Sequence, residues 1–453
     1  MHELLSDATA RAIRYLDGLD ARGVTPTPEA LMHLTKLYGS LPEEPTDPAA
    51  VLALLDDIGS PATVATAGPR FFGFVVGGSL PAALAANWLA GAWDQLGSEY
   101  ATSPIVATLE EIALRWLLEI FGLPPSSGGA FVTGATMANF CGLAAARYSV
   151  LKNVGWNVEA DGLFGAPPVT VIVGEEAHPV LFKSLGLLGL GRQRVVTVPV
   201  DGQGRMRSDA FPAVSGPTIV CLQAGNVNTG AFDPAHEIIP RAHEAGAWVH
   251  VDGAFGLWAA AAPARAHLMA GYADADSWAT EAHKWLNVPY DSGLAFLRDP
   301  SPLQAVMSVS AAYLPPQQVR RDPAQFTPES SRRGRGIEVW AALRSLGKSG
   351  LADLIERTCR FAQRFAEGLR GAGYQVLNDV VINQVLVSFG SEAMTRQVVE
   401  AIQRDGTCWC GPTVWQGHPA MRISISSWAT TEADVDRSLA TMIRIAREQD
   451  PCS

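Results

Sequence analysis

Between about residues 61 and 330, short apolar runs alternate with helical stretches; among the runs are Thr170-Val171-Ile172-Val173, Thr218-Ile219-Val220-Cys221 and Ala247-Trp248-Val249-His250-Val251. Runs this short and this continuously apolar read as strands buried on both faces. Their alternation with helices is the pattern of a mostly parallel sheet covered on both sides. Open sheets of this kind gather ligands beyond the carboxyl ends of their strands. The residues that follow each run are therefore the candidates for chemistry.

Asp252 ends the last of these runs, and Ala282-His283-Lys284-Trp285 follows on a later loop. A lone aspartate there is most often a turn or cap residue, and a lone lysine a solvated charge. Together they are the two protein groups that pyridoxal phosphate chemistry requires. The amine forms a Schiff base with the cofactor aldehyde, and the carboxylate keeps the pyridine nitrogen protonated, which points to an amino-acid substrate. A third segment supplies an anion cup: Ala130-Phe131-Val132-Thr133 runs into Gly134-Ala135-Thr136 and then a helical pattern through Arg147. Small residues admit the phosphate to the backbone, the helix start offers free N–H groups, and the Thr136 hydroxyl adds a donor.

With these segments in hand, the chain resembles the group II pyridoxal-phosphate-dependent amino-acid decarboxylases, the aromatic-L-amino-acid and glutamate decarboxylase-like enzymes of aspartate aminotransferase fold type I. The resemblance runs over most of the chain, from Pro69-Arg70-Phe71-Phe72-Gly73-Phe74 through Ser103-Pro104 and Leu109-Glu110-Glu111 into the C-terminal region. It implies that His178 stacks on the cofactor ring and helps orient the substrate adduct, and that Ala254 is the small residue beneath the ring. Asn228 and Thr229 fall where polar cofactor or substrate contacts are expected, and His283 and Glu281 fall beside the phosphate. Tyr313 resembles the phenol that reprotonates the α-carbon after carbon dioxide leaves. Arg422 resembles an arginine facing the substrate carboxylate. Phe72 and Trp93 belong to a ring-rich strip that lines the substrate pocket. One departure is Glu281, where the family more usually carries Asn or Asp; the run Ser331-Arg332-Arg333-Gly334-Arg335-Gly336 also matches only in outline.

The implied reaction is decarboxylation of an L-amino acid, aromatic or otherwise apolar, to the amine through a lysine Schiff base and a quinonoid. Transamination, aldol cleavage and decarboxylation coupled to oxidative deamination share the same strong motifs. The expected fold is α/β, with a seven-stranded-type, mostly parallel sheet. The expected division is an N-terminal helical arm over residues 1–60, a large cofactor-binding domain over 61–330 and a small α+β domain over 331–453. Leu4, Leu5, Ala8, Ala12, Ile13 and Leu16 give the arm an apolar face. By resemblance that face packs on a second subunit, making a homodimer with active sites at the subunit interface. Thr430-Thr431-Glu432-Ala433-Asp434 reads as a capped entry into a last helix.

A net charge of -11 argues against nucleic acid as a partner. Arg320-Arg321 with Arg332, Arg333 and Arg335 reads as a solvated or subunit-facing patch. No basic start precedes an apolar stretch, and no apolar run is long enough to span a membrane, so a cytoplasmic enzyme is expected. The six cysteines show neither a disulfide framework nor zinc-ligand spacing. No metal is expected, and Cys408 and Cys410 are read as core residues.

Overall fold

The structure, a computed structural model, describes residues 1–309 and 320–449. The chain forms two compact units, one of residues 79–360 with 378–384, the other of residues 1–78, 361–377 and 385–453.

The first unit is built on β1 (Gly128–Val132), β2 (Thr170–Gly174), β3 (Val195–Val198), β4 (Thr218–Gln223), β5 (Trp248–Asp252), β6 (Ser277–Glu281) and β7 (Gly293–Leu297). They lie in the order β1-β7-β6-β5-β4-β2-β3. Only β7 runs against its neighbours; the remaining pairs are parallel. The α/β expectation holds. The helix Ala135–Lys152 is buried around much of its circumference, as its small and apolar residues allow. Ala138, Cys141 and Ala145 cluster with Ala130, Val132 and Ala279 of the sheet, and Leu143 and Ala144 with Val171 and Ile219. Because β1, β2, β4, β5 and β6 point the same way, the loops that follow them share one edge. That edge receives Gly134–Thr136, His178, Asn226–Thr229, Asp252 and Lys284.

The second unit holds β8 (Gln375–Val376), β9 (Gln384–Ser388), β10 (Gly411–Trp415) and β11 (His418–Ser424), in the order β10-β11-β9-β8. The first 78 residues cluster here with the C-terminal ones. Buried Arg70 is one physical reason: its guanidinium donates to the Thr407 carbonyl at 2.9 Å, the Asp20 carbonyl at 3.0 Å and the Asp434 carboxylate at 3.0 Å. Phe71 stacks on Trp409 at 4.9 Å, and a Cβ at Gly73 would lie 2.2 Å from the same indole, so only glycine fits. The last helix, Glu432–Glu448, begins with the expected reciprocal cap between Thr431 and Asp434.

Cys408 and Cys410 are buried, and Cys141, Cys221, Cys359, Cys408 and Cys410 are unpaired thiols. The basic run is not a solvated patch. Arg332 is buried and gives hydrogen bonds to Glu110 at 2.7 Å, the Gly97 carbonyl at 2.7 Å and the Phe131 carbonyl at 3.0 Å. Arg333 and Arg335 both engage Asp291, and Arg321 lies over the Phe326 ring at 4.3 Å. These guanidiniums satisfy internal carbonyls and carboxylates, a role that a charge count does not reveal. Among the described residues, no helix is long and apolar enough to cross a membrane.

Candidate active site

Three groups converge where β6 ends. The Lys284 ammonium lies 2.6 Å from Glu281 Oε2 and 6.0 Å from the centre of the Phe255 ring. Glu281 Oε1 accepts the backbone N–H of Ala135 at 2.6 Å, at the first turn of the Ala135–Lys152 helix, and lies 3.3 Å from His283 Nε2. His283 Nδ1 accepts the Ser292 N–H at 3.0 Å, so the ring proton sits on Nε2 and points at Glu281. Burial by itself would raise the Glu281 carboxyl. The Lys284 charge, the His283 N–H and the Ala135 N–H outweigh that and hold it well below the usual carboxylate range. The cup is tight: a Cβ at Gly134 would lie 2.9 Å from Glu281 Oε1, and one at Gly293 would lie 2.5 Å from the Gly134 backbone. Ser184 donates to the Thr136 carbonyl at 3.0 Å and steadies the turn.

Asp252 ends β5, opposite Ala279 of β6 in register, and is almost fully buried. Its Oδ1 accepts the Ala254 N–H at 3.2 Å and its Oδ2 accepts Asn139 Nδ2 at 3.2 Å. Ala254 also anchors β6, since its carbonyl accepts the Glu281 N–H at 2.9 Å. One helix therefore touches both poles of the site, with Ala135 at the lysine end and Asn139 at the aspartate end. His178 follows β2 at the same edge. It caps the helix Pro179–Leu187, its Nδ1 accepting the Val180 N–H at 3.3 Å, which leaves Nε2 as the protonated nitrogen.

Other candidates have different surroundings. The Thr229 hydroxyl donates to the Gln203 carbonyl at 2.6 Å and accepts the Ala231 N–H at 3.2 Å, so it organises its own loop. Asn228 is buried there, its N–H held by Asn226 Oδ1 at 2.9 Å. Phe72 is a core ring with 1 % exposure, packed edge-on against Phe365 at 5.2 Å, and has no free surface with which to line a pocket. Trp93, at the end of the helix Pro81–Trp93, is exposed. Arg422 lies in β11 of the second unit, where burial lowers its guanidinium to about 10. Tyr313 falls outside the described residues. Sequence reasoning did not single out Asn139, Ser277, Ser292 or Gly293, and it used His250 only as part of a motif. The one available signal was His250 itself, a polar residue inside an otherwise apolar strand.

A model of the pyridoxal-dependent decarboxylase conserved domain matches residues 28–390. The chain belongs to the pyridoxal-dependent decarboxylase family. It is 27 % identical to tryptophan decarboxylase 1 of Oryza sativa subsp. japonica over 404 residues, covering 80 % of this chain and 77 % of that protein. It is 29 % identical to an acidic amino acid decarboxylase of Mus musculus over 321 residues, 68 % of this chain and 58 % of that one. The crystal structure of Oryza sativa TDC with PLP and tryptamine superposes with a TM-score of 0.91 at 22 % identity, covering 99 % of this chain and 97 % of that one. The family assignment makes this decarboxylase a carboxy-lyase that uses pyridoxal phosphate, of the class that acts on amino acids. Its residues fit that cofactor on their own chemistry. A primary amine and a carboxylate stand at adjacent strand ends, beside a helix N-terminus whose glycine would not tolerate a Cβ.

Proposed function

We propose that this decarboxylase removes the α-carboxyl group of an L-amino acid with an aromatic or otherwise apolar side chain, releasing carbon dioxide and the amine. The observation that supports the site is the exit of Asp252 and Lys284 from adjacent parallel strands, both tied to one helix through Asn139 and Glu281. When bound, pyridoxal phosphate supplies an electron sink for the bond that breaks. The Lys284 amine is the covalent tether, and Asp252 holds the pyridine nitrogen. Gly134, Ala135, Thr136, Glu281 and His283 border the phosphate end. Ala254 leaves room beneath the ring, and His178 covers its other face. Asn228 borders the same edge of the sheet. Tyr313 returns a proton to the α-carbon. The similarity to a tryptophan decarboxylase supports an aromatic substrate.

The test is reconstitution with pyridoxal phosphate and incubation with a panel of L-amino acids, following carbon dioxide, amine, keto acid and aldehyde by mass spectrometry. Carbon dioxide with stoichiometric amine from an aromatic substrate is expected, and the Tyr313→Phe variant is expected to lose amine output by about 10²-fold or more. Amine from acidic substrates alone would overturn the specificity. Keto acid without carbon dioxide would overturn the reaction.

A homodimer is part of the same reading. The helix His2–Asp17 buries none of its residues, yet carries Leu5, Ile13 and Leu16 exposed; Val51, Leu54, Leu55, Trp88 and Leu89 are exposed as well. Apolar surface on this scale supports a partner of the same chain. The unpaired, buried thiols support a reducing, cytoplasmic setting.

A further inference from the structure

Behind Asp252 runs a line of buried hydrogen bonds. The Trp248 indole N–H donates to Ser277 Oγ at 2.9 Å. Ser277 Oγ lies 2.8 Å from His250 Nδ1, and His250 Nε2 lies 2.8 Å from Asn139 Oδ1. Asn139 Nδ2 then reaches Asp252 Oδ2 at 3.2 Å. The direction of the line follows from chemistry. An indole N–H only donates, so it occupies a lone pair of Ser277 and leaves the hydroxyl hydrogen for His250 Nδ1. The single imidazole proton then sits on Nε2 and is given to the Asn139 carbonyl, which turns the Asn139 amino group toward Asp252. The opposite amide orientation would set two oxygens against each other at Asp252.

Asn139, His250 and Ser277 have no solvent exposure, so water cannot substitute for a missing member. Burial also pushes the His250 imidazole down to about 3, keeping it neutral with one proton to give. The helix was shaped for this line. A Cβ at Gly142 would lie 2.6 Å from His250 Cε1 and 2.7 Å from its Nδ1, so only glycine lets the Ala135–Lys152 helix approach the ring.

We propose that Ser277, His250 and Asn139 are positioning residues that orient the Asp252 carboxylate, and so set the protonation of the cofactor's pyridine nitrogen. The proposal rests on the reading of Asp252 given above. Its reach is specific: removing a member is expected to change how the cofactor titrates and how tightly it binds.

The experiment compares wild type with His250→Leu, His250→Gln and Ser277→Ala. Each is refolded or purified without cofactor, checked for folding by circular dichroism, and titrated with pyridoxal phosphate. The dissociation constant and the pH midpoint of the visible cofactor band are the readouts. His250→Leu is expected to weaken binding by about tenfold or more, as loss of a donor line to a charged group would, and to shift the pH midpoint. His250→Gln is expected to stay near wild type, because its amide N–H reaches Asn139 from a similar position. Ser277→Ala, which removes one hydroxyl and little volume, is expected to shift the midpoint even if His250→Leu does not fold. An unchanged midpoint in a folded His250→Leu or Ser277→Ala protein would overturn the relay while leaving the site intact. A wild-type protein that shows no Lys284-dependent band would overturn the site reading, and the relay with it.

Discussion

At the scale of single residues, the site is defined by charge placed where water is scarce. On the proposed role of Lys284 as the covalent tether, Lys284→Ala is expected to abolish both the visible cofactor band and amine release, as read by absorbance after reconstitution and by mass spectrometry. Glu281 is the unusual member, a carboxylate at the mouth of an anion cup. Its folded carboxyl titrates below the ordinary range, so the stability it contributes is present above its unfolded value of about 4.3 and is lost as pH falls below it. Glu281→Gln is therefore expected to flatten the acid limb of the stability profile, measured as denaturation midpoints between about pH 3 and pH 6. Asp252 was legible in the sequence because it follows an apolar run, and Lys284 because Ala282-His283-Lys284-Trp285 follows on a later loop. The contact of Glu281 with Ala135, far away in the chain, was not legible, because spacing carries no information about which loops share an edge.

At the scale of elements, termination signals were the most readable. Thr431 and Asp434 close the last helix with a reciprocal pair of bonds, Thr431 Oγ1 accepting the Asp434 N–H at 3.3 Å and the Thr431 N–H reaching Asp434 Oδ2 at 3.0 Å. Thr431→Ala is expected to cost about 1 kcal/mol, measured by chemical denaturation. Such a cap is local, so four residues of sequence specify it. The Ala135–Lys152 helix was read as an anion-binding entry, and its contacts with β5 were not foreseen. Asn139 and Gly142 look like ordinary helix residues until β5 is packed against them and His250 fills the space that Gly142 leaves. The basic run shows the converse error: arginines that read as surface charge are consumed by buried carbonyls and carboxylates.

At the scale of the whole molecule, exposed apolar side chains are concentrated in the first hundred or so residues, Leu5, Ile13, Leu16, Val51 and Leu54 among them. A Leu5→Glu, Ile13→Glu, Leu16→Glu variant is expected to elute as a monomer in size-exclusion chromatography with light scattering, and the wild type as a dimer. A monomeric wild type would remove the assembly reading without touching the family assignment.

The sequence by itself determined the alternation of strands and helices, the caps, and the residue types at each strand end, because those follow from local periodicity and side-chain chemistry. It also carried the cofactor, through an acid and an amine at strand ends. Only the tertiary structure decided which candidates face one another. It joined Glu281 to Ala135 and Asn139 to Asp252, spent Phe72 in a core, and gathered the first 78 residues with the C-terminal ones around Arg70. Those pairings rest on contacts between residues distant in the chain, whose partners are chosen by packing and not by any pattern near them.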